Sequence, residues 1–169
     1  MMLAQLIVLF VVPALFAASA GWDLASYTIP NFLSVTLIAL FGVFAISTGL
    51  PAAAIGGHVL AGAAGLTVGF ALFAFGFIGG GDAKLFAAAA LWLGIPQLLE
   101  YAIITSLIGG VLALLLVSLR SLPMPAALAG RDWVARLHDS KAGIPYGVAL
   151  ATAALVVLPH SEAFHIAVR

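Results

Sequence analysis

Two carboxylates stand where a strongly apolar chain has little reason to hold any. Asp82 follows three consecutive glycines, Gly79-Gly80-Gly81, and Lys84 comes two residues later; Asp23 follows the first apolar run. In a bilayer such a charge is costly, about +2.5 to +3.5 kcal/mol at a helix centre. Two carboxylates facing each other in a poorly solvated site cannot easily both ionise, so they tend to hold one proton between them. One can then act as general base on a water while the other protonates a carbonyl or a leaving amine. That is the chemistry of aspartic proteases. It needs no metal, cofactor, thiol or serine nucleophile, which suits a chain without cysteine and without a recognisable Ser/His elbow.

The elements that would position these groups follow from composition. Of 169 residues, 64% are hydrophobic and 7% charged, with six acids balancing six bases. A soluble domain of this size needs far more charge, so the chain reads as an all-α polytopic membrane protein, a single membrane-embedded domain over 1–169 with the lipid bilayer as partner. Zero net charge and the lack of a basic run argue against nucleic acid. Leu3 to Phe16 followed by Ala18-Ser19-Ala20 imitates a signal peptide. It lacks the basic leading region, however, and is read as a retained helix.

A spanning helix needs about 20 mainly apolar residues. Six segments are expected to form a helical bundle: Leu3 to Ala20 with a kink at Pro13, Phe32 to Thr48, His58 to Ile78 after a Gly56-Gly57 turn, a short Ala83 to Leu93, Leu98 to Leu119, and Ile144 to Leu158. The polar stretch Arg120 to Lys141, opened by Pro123 and Pro125, carries Trp133, Val134 and Leu137 at helical spacing, as a short amphipathic surface helix would. Ala61, Gly65 and Gly69 recur every four residues and suit close helix packing.

Basic residues set the orientation. Four of the six, Arg120, Arg131, Arg136 and Lys141, fall in the loop of about 120–143, which should be cytoplasmic. Counting back through the helices puts the N-terminus outside and both the 21–31 connection and the 79–84 loop inside. Asp23 and Asp82 therefore share the cytoplasmic face, while Glu100, His58, His160 and His165 fall on the other. His138 lies in the inside loop, and the separation of the histidines argues against a metal site.

Taken alone, Gly-Gly-Gly-Asp is a turn ending in a helix cap, and Asp23 an interfacial cap. In company, Gly79, Gly80 and Gly81 let an extended backbone approach Asp82. Asp82 can face Asp23 or cap its own helix. Lys84 either acts on the Asp82 carboxylate or substrate, or snorkels to the interface; Asn31 either bonds near Asp23 or caps the second helix. Carboxylate pairs also serve proton relays, so a small transporter or secretion-apparatus subunit is the alternative function.

Gly79-Gly80-Gly81-Asp82 resembles the GxGD signature of intramembrane aspartic proteases. Asp23 with Ile29-Pro30-Asn31 resembles the first catalytic motif of type IV prepilin peptidases, and Gly143-Ile144-Pro145-Tyr146-Gly147 a later segment of theirs. The short length is similar to the CpaA/TadV-type enzymes of Flp (Tad) pilus systems. The resemblance implies an enzyme of the bacterial inner membrane that removes the leader of prepilin or pseudopilin substrates at the cytoplasmic face. It implies Asp23 and Asp82 as the catalytic pair and Gly79 to Gly81, Lys84, Pro30 and Asn31 as residues shaping the site. The longer enzymes of the family carry paired CxxC zinc motifs and N-methylate the new terminus; this chain has no cysteine, so methyl transfer is not expected.

Overall fold

In a computed structural model, residues 2–124 and 130–169 are described; Pro125, expected to open the polar loop, lies outside them. Eight helices and no strand occur among the described residues. Helix α1 covers Met2–Ser26, α2 Asn31–Thr48, α3 Ala52–Ala74 and α5 Ile95–Arg120, each long and apolar enough to cross a membrane. Between α3 and α5 lies α4, Gly80–Leu93. The polar segment forms α6, Asp132–His138; α7 covers Tyr146–His160, and α8 Glu162–Ala167.

Several bounds differ from the sequence reading. The first helix runs through Gly21 to Ser26 instead of stopping near Ala20, so Asp23 sits in its last turns. One glycine costs a helix only about 1 kcal/mol and does not end it; what ends α1 is Tyr27, at φ 55°, whose N–H returns to the Asp23 carbonyl at 2.7 Å. The irregularity expected at Pro13 takes the form of a π-helical turn, Ile7–Val11, just before it. The wider turn eases the crowding a proline ring imposes on the preceding turn. Gly56 and Gly57 form no turn: α3 already starts at Ala52 behind Pro51, and it stops at Ala74, before the Ile78 expected. Pro96 is no barrier to α5, because a proline in the first turn has no intrahelical N–H bond to lose. Helix α8 was not anticipated, although Ser161 carries an N-cap signal and its Oγ accepts from the Phe164 N–H at 3.2 Å.

Helix α4 is the axis of the bundle. Its 14 residues reach only about 21 Å, short of a bilayer core of about 30 Å. It is nevertheless screened from lipid, since Leu85 to Leu93 are all buried and α2, α3, α5 and α7 pack around it. The six expected segments are thus present as four spanning-length helices plus α4 and α7.

The small residues of α3 find their partner here. A Cβ on Gly65 would lie 2.8 Å from the Ala90 Cβ, and one on Gly69 would lie 3.0 Å from the Ala83 Cα. The two helices therefore pack nearly backbone to backbone, gaining dispersion contacts that bulkier residues would hold apart. At the far end of α4, Trp92 is fully buried and donates Nε1–H to the Leu37 carbonyl at 2.9 Å. Its ring meets Phe41 edge-on at 5.5 Å. This clamp fixes α4 against α2 and so fixes where its opposite end, with Asp82, comes to lie.

Candidate active site

Asp82 is the third residue of α4. The helix can begin at Gly80 because Gly79 is extended, at φ −75° and ψ 157°. The Gly79 N–H donates to Asp82 Oδ2 at 2.9 Å. The carboxyl thus satisfies one of the amides at its own helix start, the arrangement expected of an acid in a first turn. The neighbouring glycine does something else. A Cβ on Gly81 would stand 3.2 Å from the Ile29 Cβ and 3.3 Å from the Ile29 N, so its bare backbone lets the 27–30 connection lie directly on α4.

Asp23 enters from the last turns of α1. Its Oδ2 accepts the Gly147 N–H at 2.7 Å, a contact between residues 124 positions apart. Gly147 has no room for a side chain, since a Cβ there would come within 2.6 Å of Ile29 Cδ1 and 2.8 Å of Asp23 Oδ2. Both carboxylic residues are more than nine-tenths buried, Asp23 at 4% and Asp82 at 8% exposure. Burying such groups is tolerable only with hydrogen-bond partners, and each has a backbone amide.

The two carboxyls line one cavity of about 260 Å³, with Tyr27, Thr28, Ile29, Asn31 and the three glycines forming the rest of its wall. Asp82 therefore does both things the sequence left open: it caps its own helix and faces the cavity it shares with Asp23. Pro30 stands one step outside, as the extended residue before α2. Lys84 and Asn31 are joined to each other, Nζ donating to Oδ1 at 2.8 Å. Neither of Asn31's expected roles is thus the bond observed, and Lys84 stands outside the cavity wall. Glu100 lies elsewhere, 3.0 Å from His160 Nδ1, while His58 bonds the Leu91 carbonyl at 2.7 Å, near the other end of α4.

Three wall residues, Tyr27, Thr28 and Ile29, are not among the site residues expected from sequence. In the sequence Ile29 stands out only as part of the Ile29-Pro30-Asn31 motif. Tyr27 gave no signal, because nothing local announces a tyrosine in the left-handed region. Its Oη is buried and has no hydrogen-bond partner among the described residues. Burial raises the hydroxyl above its ordinary pKa, against the opposing pull of the Arg120 guanidinium.

Residues 9–114 match the model of the type IV leader peptidase family. The chain belongs to that family. The matched span takes in Asp23, Ile29 to Asn31 and Gly79 to Lys84, and it ends before Arg120 and the 143–147 segment. No curated protein and no solved structure matches the chain. Membership of the leader peptidase family makes the chain a peptidase, a hydrolase, and its long apolar helices fit a membrane-embedded one.

Proposed function

We propose that this protein is an aspartic endopeptidase that removes the leader peptide of prepilin or pseudopilin substrates, with Asp23 and Asp82 as its catalytic pair. The observation that carries the reading is the convergence of two buried carboxyls on one cavity. Each is anchored through Oδ2 by a backbone amide, and each lines the cavity in which water or substrate would be met. One carboxylate draws the proton from a water as it attacks the scissile carbonyl; the protonated partner supplies the proton that the departing amine needs. The Gly79 to Gly81 backbone, free of side chains, offers the scissile strand a surface to lie against.

The proposal extends to place and type. We place the cavity at the cytoplasmic face of the bacterial inner membrane, with the N-terminus outside, a reading that the basic residues of the 120–143 loop support. Length and the lack of cysteine favour the short CpaA/TadV form of Flp/Tad pilus systems, cleaving without N-methylation.

The test is a cleavage assay in membranes on a prepilin-like substrate, with Asp23→Asn and Asp82→Asn made separately. Wild-type protein should release the leader and each variant should fail. An uncleaved substrate with the wild type, or full activity in either variant, would refute the proposal. Proton flux lost in the variants while leader removal continues would instead favour a transporter.

A further inference from the structure

Arg120, the last residue of α5, ties together two pieces of chain that sequence keeps apart. Its Nε donates to the Leu137 carbonyl at 2.8 Å, at the end of α6, and its Nη2 to the Gly143 carbonyl at 2.8 Å, in the approach to α7. A planar guanidinium can hold two carbonyls from fixed directions at once; an ammonium has no such fork. Four residues past Gly143, the Gly147 N–H meets Asp23. Among the described residues, Arg120 and Asp23 are the only side chains that hydrogen-bond to the backbone of 143–147.

The segment between has little slack. The Tyr146 N–H closes a tight turn on the Ile144 carbonyl at 2.8 Å, and Pro145 is fully buried. The Tyr146 ring lies against α5, where a Cβ on Gly109 would stand 3.0 Å from its Cε1. The strap is thus held at one end by Arg120, along its middle by α5, and at the other end against Asp23.

We propose that Arg120 is a positioning residue for Asp23: by fixing Gly143 it sets where the Gly147 N–H points, and so where the carboxyl stands. The inference rests on the dyad reading above and deepens it. Arg120 and the strap lie beyond the residues that the family comparison matches.

The test uses the full-length protein in nanodiscs, with Arg120→Ala and Arg120→Lys, and reads two things separately. Hydrogen exchange of the 143–148 amides should quicken in both variants while amides in α3 and α4 stay protected. Leader cleavage of a prepilin-like peptide should lose between about 10- and 100-fold in kcat with KM little changed, the scale that a small misplacement of a reacting group produces. Added guanidinium should restore part of the Arg120→Ala activity. Unchanged exchange in 143–148, or unchanged kcat in a cleaving background, overturns the proposal, as does a uniform rise in exchange across all helices, which marks plain unfolding. If the wild type does not cleave, the proposed function fails by itself, and the exchange result still decides whether Arg120 holds the strap.

Discussion

The Gly147 amide reaches Asp23 Oδ2 at 2.7 Å and joins the last turns of α1 to the first turn of α7. That single contact makes a residue near the C-terminal end of the chain part of the setting of one near its start. It also gives the glycine a reason, because the carboxyl and Ile29 together occupy the volume that a side chain would need.

Gly147→Ala is therefore expected to disable the enzyme without unfolding it. A methyl group 2.6 Å from Ile29 Cδ1 and 2.8 Å from Asp23 Oδ2 must push one or both aside. On the proposed pairing of Asp23 with Asp82, leader cleavage should fall by about 100-fold or more, the scale that a displacement of about an ångström in a reacting group produces. Thermal unfolding and cleavage, measured on the same preparation, check this. Adding Ile29→Ala should relieve the contact with Ile29 and leave the one with the carboxyl, so stability should recover more than activity does.

Gly69→Val tests the other carboxyl through packing. A Cβ at position 69 would sit 3.0 Å from the Ala83 Cα and 3.1 Å from its carbonyl oxygen, and Ala83 adjoins Asp82. Backbone cannot yield as a flexible side chain can, so α3 and the start of α4 must separate. The expected cost is about 1–3 kcal/mol, the range for overpacking a tight contact, read as a lower midpoint in thermal or denaturant unfolding. Gly110→Val is the control: nothing lies within 4 Å of a Cβ there, so that variant should unfold like the parent.

Much of this was legible in the sequence, for a physical reason. Apolar runs and prolines locate spanning helices because a bilayer leaves few alternatives, and the charge pattern put Asp23 and Asp82 at one end of the bundle. Two of the errors came from glycine. Gly21 and the Gly56-Gly57 pair looked like breaks, yet in an apolar setting the helix closes its own hydrogen bonds straight through them. What no local pattern could supply was long-range contact: that Asn31 holds Lys84, that Gly147 holds Asp23, or that Tyr27 turns left-handed to end α1 beneath it.

Tyr27→Phe asks what the buried phenol does. Its Oη makes no hydrogen bond of good geometry among the described residues, although the Arg120 guanidinium stands near it, and a buried hydroxyl so poorly paired costs up to about 1–3 kcal/mol. Removing it should leave the unfolding midpoint unchanged or slightly raised. Cleavage should stay within about threefold of wild type if the ring alone forms the cavity wall, a difference of under about 1 kcal/mol in barrier. A tenfold loss of kcat at an unchanged midpoint would instead assign the hydroxyl to the substrate.

The Lys84–Asn31 bond, 2.8 Å and exposed, separates anchoring from chemistry. It ties the start of α2 to the N-terminal part of α4 through Asn31, a residue of the cavity wall, while Lys84 itself is not part of that wall. An exposed interaction of this kind is worth under about 1 kcal/mol, because water competes for both groups. A double-mutant cycle of Lys84→Met and Asn31→Ala should accordingly give a small coupling in unfolding free energy, with each single variant losing as much as the pair does. If the bond only ties the two helices, cleavage in Lys84→Met falls by no more than its loss in stability explains. A kcat loss of about 100-fold in Lys84→Met with Asn31→Ala near wild type would place the ammonium on the reacting groups instead, since that pattern cannot come from the bond the two side chains share.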